Sequence, residues 1–303
     1  MPGGKDVHRK KIISYQSKGR TILIQRQDLG VLSFYYLGYS RIRNLILRFQ
    51  NKPVARFVLF HDIPPEILVH FEDHLQFMKQ FTNVVSLDDF FSGRLSSDKI
   101  NVAITFDDGY KSWISNAIPI LKKLQLPATF FVSSGFVGLS KEEEAEFLRS
   151  KMFLNLVRRK ITGGLSFEDL KRIVNEGFTV GGHTINHCIL AKVRDRSQVR
   201  FEIAEDKMRL EKIIGKKVEY FAYPSGAYHN PEINLSKVLS ESGYKGAVTT
   251  ASGFNSIGSD RYLLHRELTY AAMPGRLFRA LVYGNYDAVQ FIKKLSRIIL
   301  QRR

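Results

Sequence analysis

The 303-residue chain has a single cysteine, Cys188, and lacks any uncharged apolar run near the roughly 18 residues that a membrane-spanning helix requires. One thiol cannot form an intrachain disulfide, so the cysteine usage does not require an oxidising compartment. The best candidate for a membrane span, residues 31–50, is interrupted by three arginines. Its apolar beginning lies too far along the chain for an ordinary secretion signal. We therefore expect a cytoplasmic protein.

Acidic residues are also scarce, with 29 Asp and Glu against 46 Lys and Arg, which gives a formal net charge of +17. The excess lies at the two ends, because residues 1–56 carry +10, residues 276–303 carry +6 and the 219 residues between them carry +1. Strongly basic chains bind nucleic acids, anionic membranes or acidic substrates. No basic, aromatic-rich platform or nucleic-acid-binding motif is present, so we do not expect nucleic acid as a partner.

Each basic end carries an apolar stripe at helical spacing. The stripes consist of Ile42, Leu45, Ile46 and Phe49 near the start, and of Ala288, Phe291, Ile292, Leu295 and Ile299 near the end. Helices of this kind lie in anionic membrane interfaces, where each basic residue contributes about 1 kcal/mol. The alternative is that both helices pack on the rest of the protein. We favour peripheral association with the inner face of the membrane.

Short apolar runs alternate with longer helical patterns through the middle of the chain. The predicted strands are 56–61, 101–106, 128–132, 178–181, 218–223, 246–249 and 263–268, and the main predicted helices are 66–81, 112–124, 166–176 and 197–214. Strands this apolar are typical of parallel sheets covered on both faces. The pattern predicts an α/β sheet or barrel over residues 56–275, with a partly helical basic extension at 1–55 and a basic amphipathic helix at 276–303.

Polar side chains capable of chemistry follow these strands. His61, the pair Asp107 and Asp108, His183 and the turn at 223–226 lie at or just beyond predicted strand ends, whereas His265 lies inside its short run. In a (β/α) barrel the loops at the carboxyl ends of the strands converge on one cavity. Residues distant in sequence could therefore share a site.

Two of these groups together suggest a metal centre. Asp107 and Asp108 would repel each other, so one should be neutralised by a proton or a metal. His183 and His187 are four residues apart, which places both rings on one face of a helical turn. One aspartate and two histidines leave coordination positions open, as in a catalytic zinc site. Each motif alone has an ordinary explanation as a turn or a helix face, but their joint placement after apolar strands favours a site.

Six segments resemble the polysaccharide deacetylase (NodB homology) family. They are 105–109 (TFDDG) and 183–187 (HTINH), which match its first two signatures, and 59–63 (LFHDI), 127–132 (PATFFV), 221–224 (FAYP) and 247–250 (AVTT), in the same order. The resemblance covers roughly residues 56–270. It implies a distorted (β/α) barrel that uses a metal to remove an acyl group, usually acetyl, from an N-acylated amino sugar.

The resemblance also implies roles for individual residues. Asp108, His183 and His187 would hold one divalent ion, with zinc as the expected metal, and Asp107 would be the general base. A carboxylate beside metal-activated water can accept the proton as that water attacks the amide. His265 lies in a segment similar to the signature of the general acid. A packed strand histidine is an equal alternative for it.

The third signature differs from the family pattern. Many members have an arginine that orients the base at the position of Ala222, and here Arg266 could reach Asp107 instead. The backbone N–H of Ser225 would stabilise the oxyanion, but Ser225 stands where an aromatic residue usually forms part of the sugar pocket.

Four further residues are predicted to contact the substrate. They are His61, Tyr223, Pro224 and Tyr228. For His61, a hydrogen-bonded position at the barrel rim is the alternative.

We therefore expect a zinc-dependent carbohydrate N-deacetylase. Its substrate would be an amino sugar in a polysaccharide, or in a lipid-linked or nucleotide-linked precursor. One alternative is another amide hydrolase of the same fold, such as a deformylase. The other is a non-catalytic barrel that binds glycans or membranes, which the changes at Ala222 and Ser225 make plausible.

Overall fold

The structure is a computed structural model that describes residues 12–17, 20–25, 38, 53–152, 163–269, 273–285 and 287. The two apolar stripes predicted at 42–49 and 288–299 lie outside these residues. Near the start of the chain, β1 (Ile12–Ser17) and β2 (Arg20–Gln25) pair in an antiparallel ribbon that the sequence analysis did not predict. Within the described ranges, no helix combines the length and apolar character needed to cross a membrane.

Eight strands form the main sheet, and all their pairings are parallel. They are β3 (Ala55–Phe60), β4 (Asn83–Val84), β5 (Asn101–Phe106), β6 (Thr129–Val132), β7 (Thr179–Gly182), β8 (Tyr220–Ala222), β9 (Gly246–Val248) and β10 (Glu267–Leu268). Their order is β10-β3-β5-β6-β7-β8-β9, with β4 beside β5. The predicted strands are confirmed, although only two residues of the run 263–268 form a regular strand. The two-residue strand β4 was too short to predict.

One chain segment joins the two edges of this sheet. Leu264 pairs in parallel with Val248 at the end of β9. Three residues later, Glu267 pairs with Val58 in β3. Between them, the backbone N–H of Arg266 bonds to a carbonyl of the loop after β9 instead of to a strand. The sheet thus closes through one broken strand, which confirms the predicted distorted (β/α) barrel.

Eight α-helices are found in the described part of the chain. They are α1 (Leu68–Phe81), α2 (Leu87–Phe91), α3 (Ile118–Leu124), α4 (Lys141–Ser150), α5 (Phe167–Asn175), α6 (Arg196–Ile214), α7 (Leu235–Glu241) and α8 (Gly275–Val282). Ser140 and Ser166 begin α4 and α5 with reciprocal capping boxes. Gly215 ends α6 in a left-handed conformation with φ of 67°.

The predicted helix at 112–124 has two parts. Residues Trp113–Ala117 form a π-helical turn, in which the N–H of Ile118 bonds to the carbonyl of Trp113, and α3 follows. Pro119 stands in the first turn of α3 and has no N–H to donate to the preceding π-turn. Such widened turns occur often at functional sites.

Alternating strand residues divide the core into two layers. Phe57, Phe131 and Tyr220 belong to the cluster inside the barrel, whereas Phe60 and Phe130 pack outward against the helices. Helix α8 contributes to the outer layer, and the predicted boundary after residue 275 falls at its first residue. Because side chains alternate along a strand, the inward set continues past the strand ends into the mouth of the barrel.

Candidate active site

Two adjacent carboxylates lie where β5 ends. Ala103 faces the barrel interior, so Thr105 and Asp107 lie on the same side of the strand. Asp107 and Asp108 are both buried, with relative exposures of 3% and 6%. Asp108 has a φ of 93°, a left-handed conformation that is rare for a residue other than glycine. The turn sends the two carboxylates to different partners.

Arg266 binds the first of them in two places. Its Nη1 and Nη2 atoms lie 2.6 and 2.7 Å from Oδ1 and Oδ2 of Asp107. The guanidinium is fully buried, and its Nε donates to the carbonyl of Thr249 at 2.9 Å. A bidentate pair of this kind fixes both the charge and the orientation of the carboxylate. The contact from Arg266 to Asp107 that the sequence suggested is present.

The second carboxylate faces two imidazoles. Oδ1 of Asp108 lies 3.4 Å from Nε2 of His183 and 3.4 Å from Nε2 of His187. One ligand atom from each of the three residues lies within 4.8 Å of the others. Ligands about 2.0–2.2 Å from a tetrahedral ion stand roughly 3.3–3.6 Å apart. The two distances from Asp108 match this spacing, and the three donors have the chemistry of a divalent-cation site.

The charges at this site are strongly coupled. Burial raises the pKa of Asp108, but hydrogen bonds from His183 and His187 outweigh it and hold this pKa well below its usual range. Burial likewise lowers the pKa of His183, but the charges of Asp107 and Asp108 overcome that effect and raise it. A cation would take the place of these protons, because metal ligands bind in their deprotonated form.

Hydrogen bonds hold both the ring and the backbone of His183. Its Nδ1 lies 2.7 Å from the carbonyl of Ala222, so a proton on Nδ1 leaves Nε2 free to bind an ion. Its backbone N–H donates to Oδ2 of Asp206 at 2.9 Å, and the N–H of Ser134 donates to Oδ1 at 2.9 Å. Burial raises the pKa of Asp206 to about 6, although these hydrogen bonds oppose the increase. Asp206 thus ties the strand ends of β6 and β7 together.

The loop that carries His187 is not helical, which corrects the expected helical turn. Thr184 and His187 have φ angles of 64° and 51°, and Oγ1 of Thr184 accepts a hydrogen bond from the N–H of Cys188. The carboxylate of Glu202 accepts bonds from the backbone and side-chain amides of Asn186. The two rings converge because hydrogen bonds to Oγ1 of Thr184 and to the carboxylate of Glu202 hold this strained loop in place. Strain of this sort costs about 1–3 kcal/mol per residue and is typical of functional sites.

A cavity of about 760 Å³ opens beside these residues. Its wall includes Asp107 and the three residues of the candidate metal site, together with His61 and Ser225. A volume in this range is typical of small-molecule sites. His61 and Asp108 line the same cavity, and the charge of His61 contributes to the low pKa of that carboxylate.

The turn after β8 places Ser225 at the cavity wall. Ser225 has a φ of 55°, and the N–H of the next residue, Gly226, bonds to the carbonyl of Tyr223 at 2.8 Å. A side chain at Gly226 would collide with Thr250, whose Oγ1 would lie 1.9 Å from a Cβ atom. This close packing fixes the turn in which Ser225 lies beside the cavity.

Three of the predicted substrate contacts do not line this cavity. Tyr223 is fully buried in the outer core, Pro224 is buried, and Tyr228 lies on the surface with its ring 6.4 Å from that of Tyr223. The reason is strand alternation, because Ala222 faces the barrel interior and its neighbour must face outward.

His265 also lies away from the cavity. Its Nδ1 is 3.2 Å from the carbonyl of Ala251, and its backbone N–H bonds to the side chain of Asn255. Since Arg266 reaches Asp107 inside the barrel, its neighbour has to point the other way. The structure therefore places His265 as the packed strand histidine and not next to the reacting groups.

Sequence reasoning missed the buried acids of α6. Glu202 and Asp206 lie one turn apart on the helix face that also buries Val199, Ile203 and Leu210. Carboxylates in an apolar helix face are rarely buried without partners. Their position was therefore a signal that both hold another part of the chain.

Comparisons with known proteins agree with this geometry. The family model described as "Polysaccharide deacetylase" matches residues 95–247. YxkH of Bacillus subtilis is 28% identical over 181 residues, which cover 60% of this chain and 56% of that protein. A poly-beta-1,6-N-acetyl-D-glucosamine N-deacetylase of Staphylococcus aureus is 25% identical over 214 residues, or 66% of this chain and 67% of that protein. The chain thus spans about half to two thirds of the length of these relatives.

Solved structures show the same fold. IcaB from Ammonifex degensii superposes with a TM-score of 0.61 at 25% identity, covering 77% of this chain and 97% of that chain. The deacetylase PplD of Streptococcus pyogenes, solved in complex with acetate, gives a TM-score of 0.60 at 23% identity, with coverage of 76% and 99%. These neighbours support the barrel described above.

Proposed function

The chain belongs to the polysaccharide deacetylase family, and we propose that it is a metal-dependent hydrolase that removes an N-acetyl or other N-acyl group from an amino sugar. The observation that carries the proposal is that two neighbouring carboxylates contact different partners. Asp108 faces two imidazole nitrogens at 3.4 Å, whereas Asp107 is bound by Arg266 and stays outside that set. One acid can therefore hold a cation while the other handles a proton.

The residues that would hold the cation are Asp108, His183 and His187. One carboxylate and two imidazoles with open coordination positions suit zinc, which we propose as the metal. When bound, it would polarise the amide carbonyl and lower the pKa of an attacking water. The second hydrogen bonds of the two histidines, to the carbonyls of Ala222 and Lys151, support the ligand role by orienting the rings.

Asp107 is the proposed general base. It lines the cavity, and both of its oxygens are bound to one guanidinium. This pairing orients the carboxylate, so it can accept the proton of the water that attacks the amide carbon. The arginine lacking at position 222 is thus replaced from another segment, which supports catalysis over the non-catalytic alternative.

His61 is the proposed general acid. An amine leaves poorly unless it is protonated, so the reaction needs a proton donor at the cavity. Among the residues that the structure describes, two histidines besides the candidate metal ligands line it, His61 and His74. Burial lowers the pKa of His74 to about 4, and its Nε2 lies 3.1 Å from the carbonyl of Met273, so it is a poor donor. His61 follows β3 directly and stands near Asp108.

The tetrahedral oxyanion needs donors that are already in place. Ser225 lines the cavity in a turn that close packing fixes, and we propose its N–H for this role. A preorganised donor needs no rearrangement as charge develops, and removing such a donor typically costs about 10²–10³ in rate.

The lining of the cavity favours an uncharged sugar. Among the described residues that form it, none is lysine or arginine. A nucleotide-linked sugar carries phosphates that would need such partners. We therefore propose an N-acetylated amino sugar of a glycan, or of a glycan precursor, as the substrate. Two relatives carry names for such activities, on poly-beta-1,6-N-acetyl-D-glucosamine and on peptidoglycan N-acetylglucosamine.

The test is acetate release from N-acetylglucosamine oligosaccharides by the purified chain. The native protein with zinc should release acetate, the chelator-treated protein should not, and added zinc should restore the activity. Asp107→Asn should remove the activity without unfolding the chain, with Asp98→Asn as the matched surface control. A zinc-loaded native protein that releases no acyl group from any N-acylated sugar would favour the binding alternative.

We also propose that the basic ends attach the enzyme to an anionic membrane surface such as the inner face of the cytoplasmic membrane. The support is the charge of +10 in residues 1–56 and of +6 in residues 276–303. Sedimentation with vesicles should show binding to phosphatidylglycerol that salt weakens, and none to phosphatidylcholine. Equal sedimentation with both lipids, or with neither, would reject this proposal.

A further inference from the structure

The π-helical turn Trp113–Ala117 follows the two catalytic-site carboxylates by only a few residues and contacts the loop that carries His61. Nε1 of Trp113 donates to the carbonyl of His61 at 2.9 Å. The indole is fully buried and packs against Phe106 and Phe130 of the outer core. This donor therefore has a fixed position relative to the end of β5.

Two more side chains of the same stretch bind the next residues of that loop. Oγ of Ser112 accepts the N–H of Ile63 at 2.9 Å and donates to Oδ1 of Asp62 at 2.5 Å. Nδ2 of Asn116 donates to the carbonyl of Ile63 at 2.7 Å. Four hydrogen bonds thus connect residues 112–116 to residues 61–63, a loop that forms no regular secondary structure.

The spacing of these side chains explains how they reach one loop. At about 100° per residue, positions i, i+1 and i+4 of a helical stretch fall within an arc of about 100°. Ser112, Trp113 and Asn116 have this spacing and therefore face the same three residues. The stretch continues as the π-turn, with a bond from the N–H of Ile118 to the carbonyl of Trp113 five residues earlier.

We infer that Asn116, with Ser112, is a positioning residue that sets the reach of His61 toward the leaving amine. The inference rests on the proposed function. The same stretch of chain continues from Asp107 and Asp108, so it sets the base, the metal ligand and the acid relative to one another. A displacement of about 1 Å at a reacting group can cost about 10²-fold in rate.

The test compares two substrates that differ in their need for an acid. An N-acetylated sugar has an amine leaving group that must be protonated, whereas 4-nitrophenyl acetate has a leaving group that departs as the anion. Asn116→Leu should lower kcat for the amide about tenfold to hundredfold and leave KM and ester hydrolysis nearly unchanged. In a His61→Ala background, Asn116→Leu should have almost no further effect on the amide.

The matched control is Asn230→Leu. Asn230 is also half-buried, and its Nδ2 donates to the carbonyls of Leu190 and Val193, but in a loop away from the cavity. This variant should lose stability without separating the two substrates. Should Asn116→Leu not fold, Ser112→Ala is measured in the same way, with the same expected separation.

Three results would overturn the inference. They are an equal loss on both substrates, an undiminished loss in the His61→Ala background, and unchanged amide turnover by the variant of a native enzyme that is active. A native protein that releases no acetate from the amide would instead reject the proposed function, and this inference with it.

Discussion

Arg266 holds both carboxylate oxygens of Asp107, at 2.6 and 2.7 Å, from a segment 159 residues further along the chain. Arg266→Ala should lower kcat for acetate release about 10²-fold, because the base loses its orientation and a buried charge loses its partner. Steady-state kinetics with an N-acetylglucosamine oligosaccharide measure this decrease in kcat.

An arginine introduced at a second position tests whether Arg266 acts by orienting Asp107. Ala222 faces the barrel interior, so Ala222→Arg in the Arg266→Ala background should recover part of the activity. Arg209→Ala, which removes an exposed helical ion pair, should leave kcat unchanged. An Arg266→Ala enzyme with native kcat would refute the orienting role.

The two histidines offered as acids make opposite predictions. His61 lines the cavity, and His61→Ala should lower amide hydrolysis by about 10²–10⁴-fold. His265 bonds to Ala251 outside the cavity, and His265→Ala should keep nearly native kcat with some loss of stability. The measurement is kcat against pH for both variants. A large loss in His265→Ala with a native thermal midpoint would reverse the assignment.

Asp206 should support the metal ligand without touching the ion. Asp206→Asn replaces one accepting oxygen by an NH₂ group, so the N–H of Ser134 or His183 loses its acceptor. We expect a loss of about 1–3 kcal/mol in the free energy of unfolding and a tenfold to hundredfold weaker affinity for zinc. Urea unfolding and zinc titration against a chelating dye measure the two effects.

Asp195→Asn is the matched control, because Asp195 caps the same helix and asparagine caps equally well. It should change neither quantity. Native zinc affinity in Asp206→Asn would show that the carboxylate is not part of the site.

His74 should make the protein sensitive to mild acid. Burial lowers its pKa to about 4, below the value of about 6.5 in the unfolded chain. As pH falls from about 6.5 to about 4, the unfolded chain binds a proton that the folded chain does not. The free energy of unfolding should therefore fall over this range by about 3 kcal/mol on account of this residue, whereas its contribution is fully present above pH 6.5.

His74→Gln should remove this component of the pH dependence. Urea unfolding of metal-free protein at pH 7.5 and 4.5 measures the difference, with His229→Gln at an exposed loop position as the control. An equal decrease between the two pH values in the native chain and in His74→Gln would contradict the assignment.

Much of the barrel could be predicted from the sequence, because short apolar runs separated by helical patterns leave few alternatives. The strands that end at Phe106, Val132 and Gly182 lie within a residue of their predicted ends. The proximity of Asp108, His183 and His187 could be predicted for the same reason, since parallel strand ends share one edge. The reason given for its histidines was wrong, because the left-handed turns at Thr184 and His187 leave no trace in residue type.

The main errors of prediction from the sequence concerned the direction in which side chains point. Tyr223 was predicted to contact the sugar, but Ala222 occupies the inward position of β8 and sends its neighbour into the outer core. His265 and Arg266 could not both face the cavity for the same reason. Strand alternation would have shown which residue of each pair faces the barrel interior if the register of the strands had been known. That register depends on long-range packing.

Asp107 and Asp108 have separate roles in the proposed reaction, and zinc content tests this separation most directly. Purified native protein and Asp107→Asn should each bind one zinc per chain, whereas Asp108→Asn should bind far less. The second variant loses the carboxylate that lies 3.4 Å from both histidine rings. Elemental analysis after dialysis gives all three values. Zinc lost from Asp107→Asn, or retained in full by Asp108→Asn, would contradict the account.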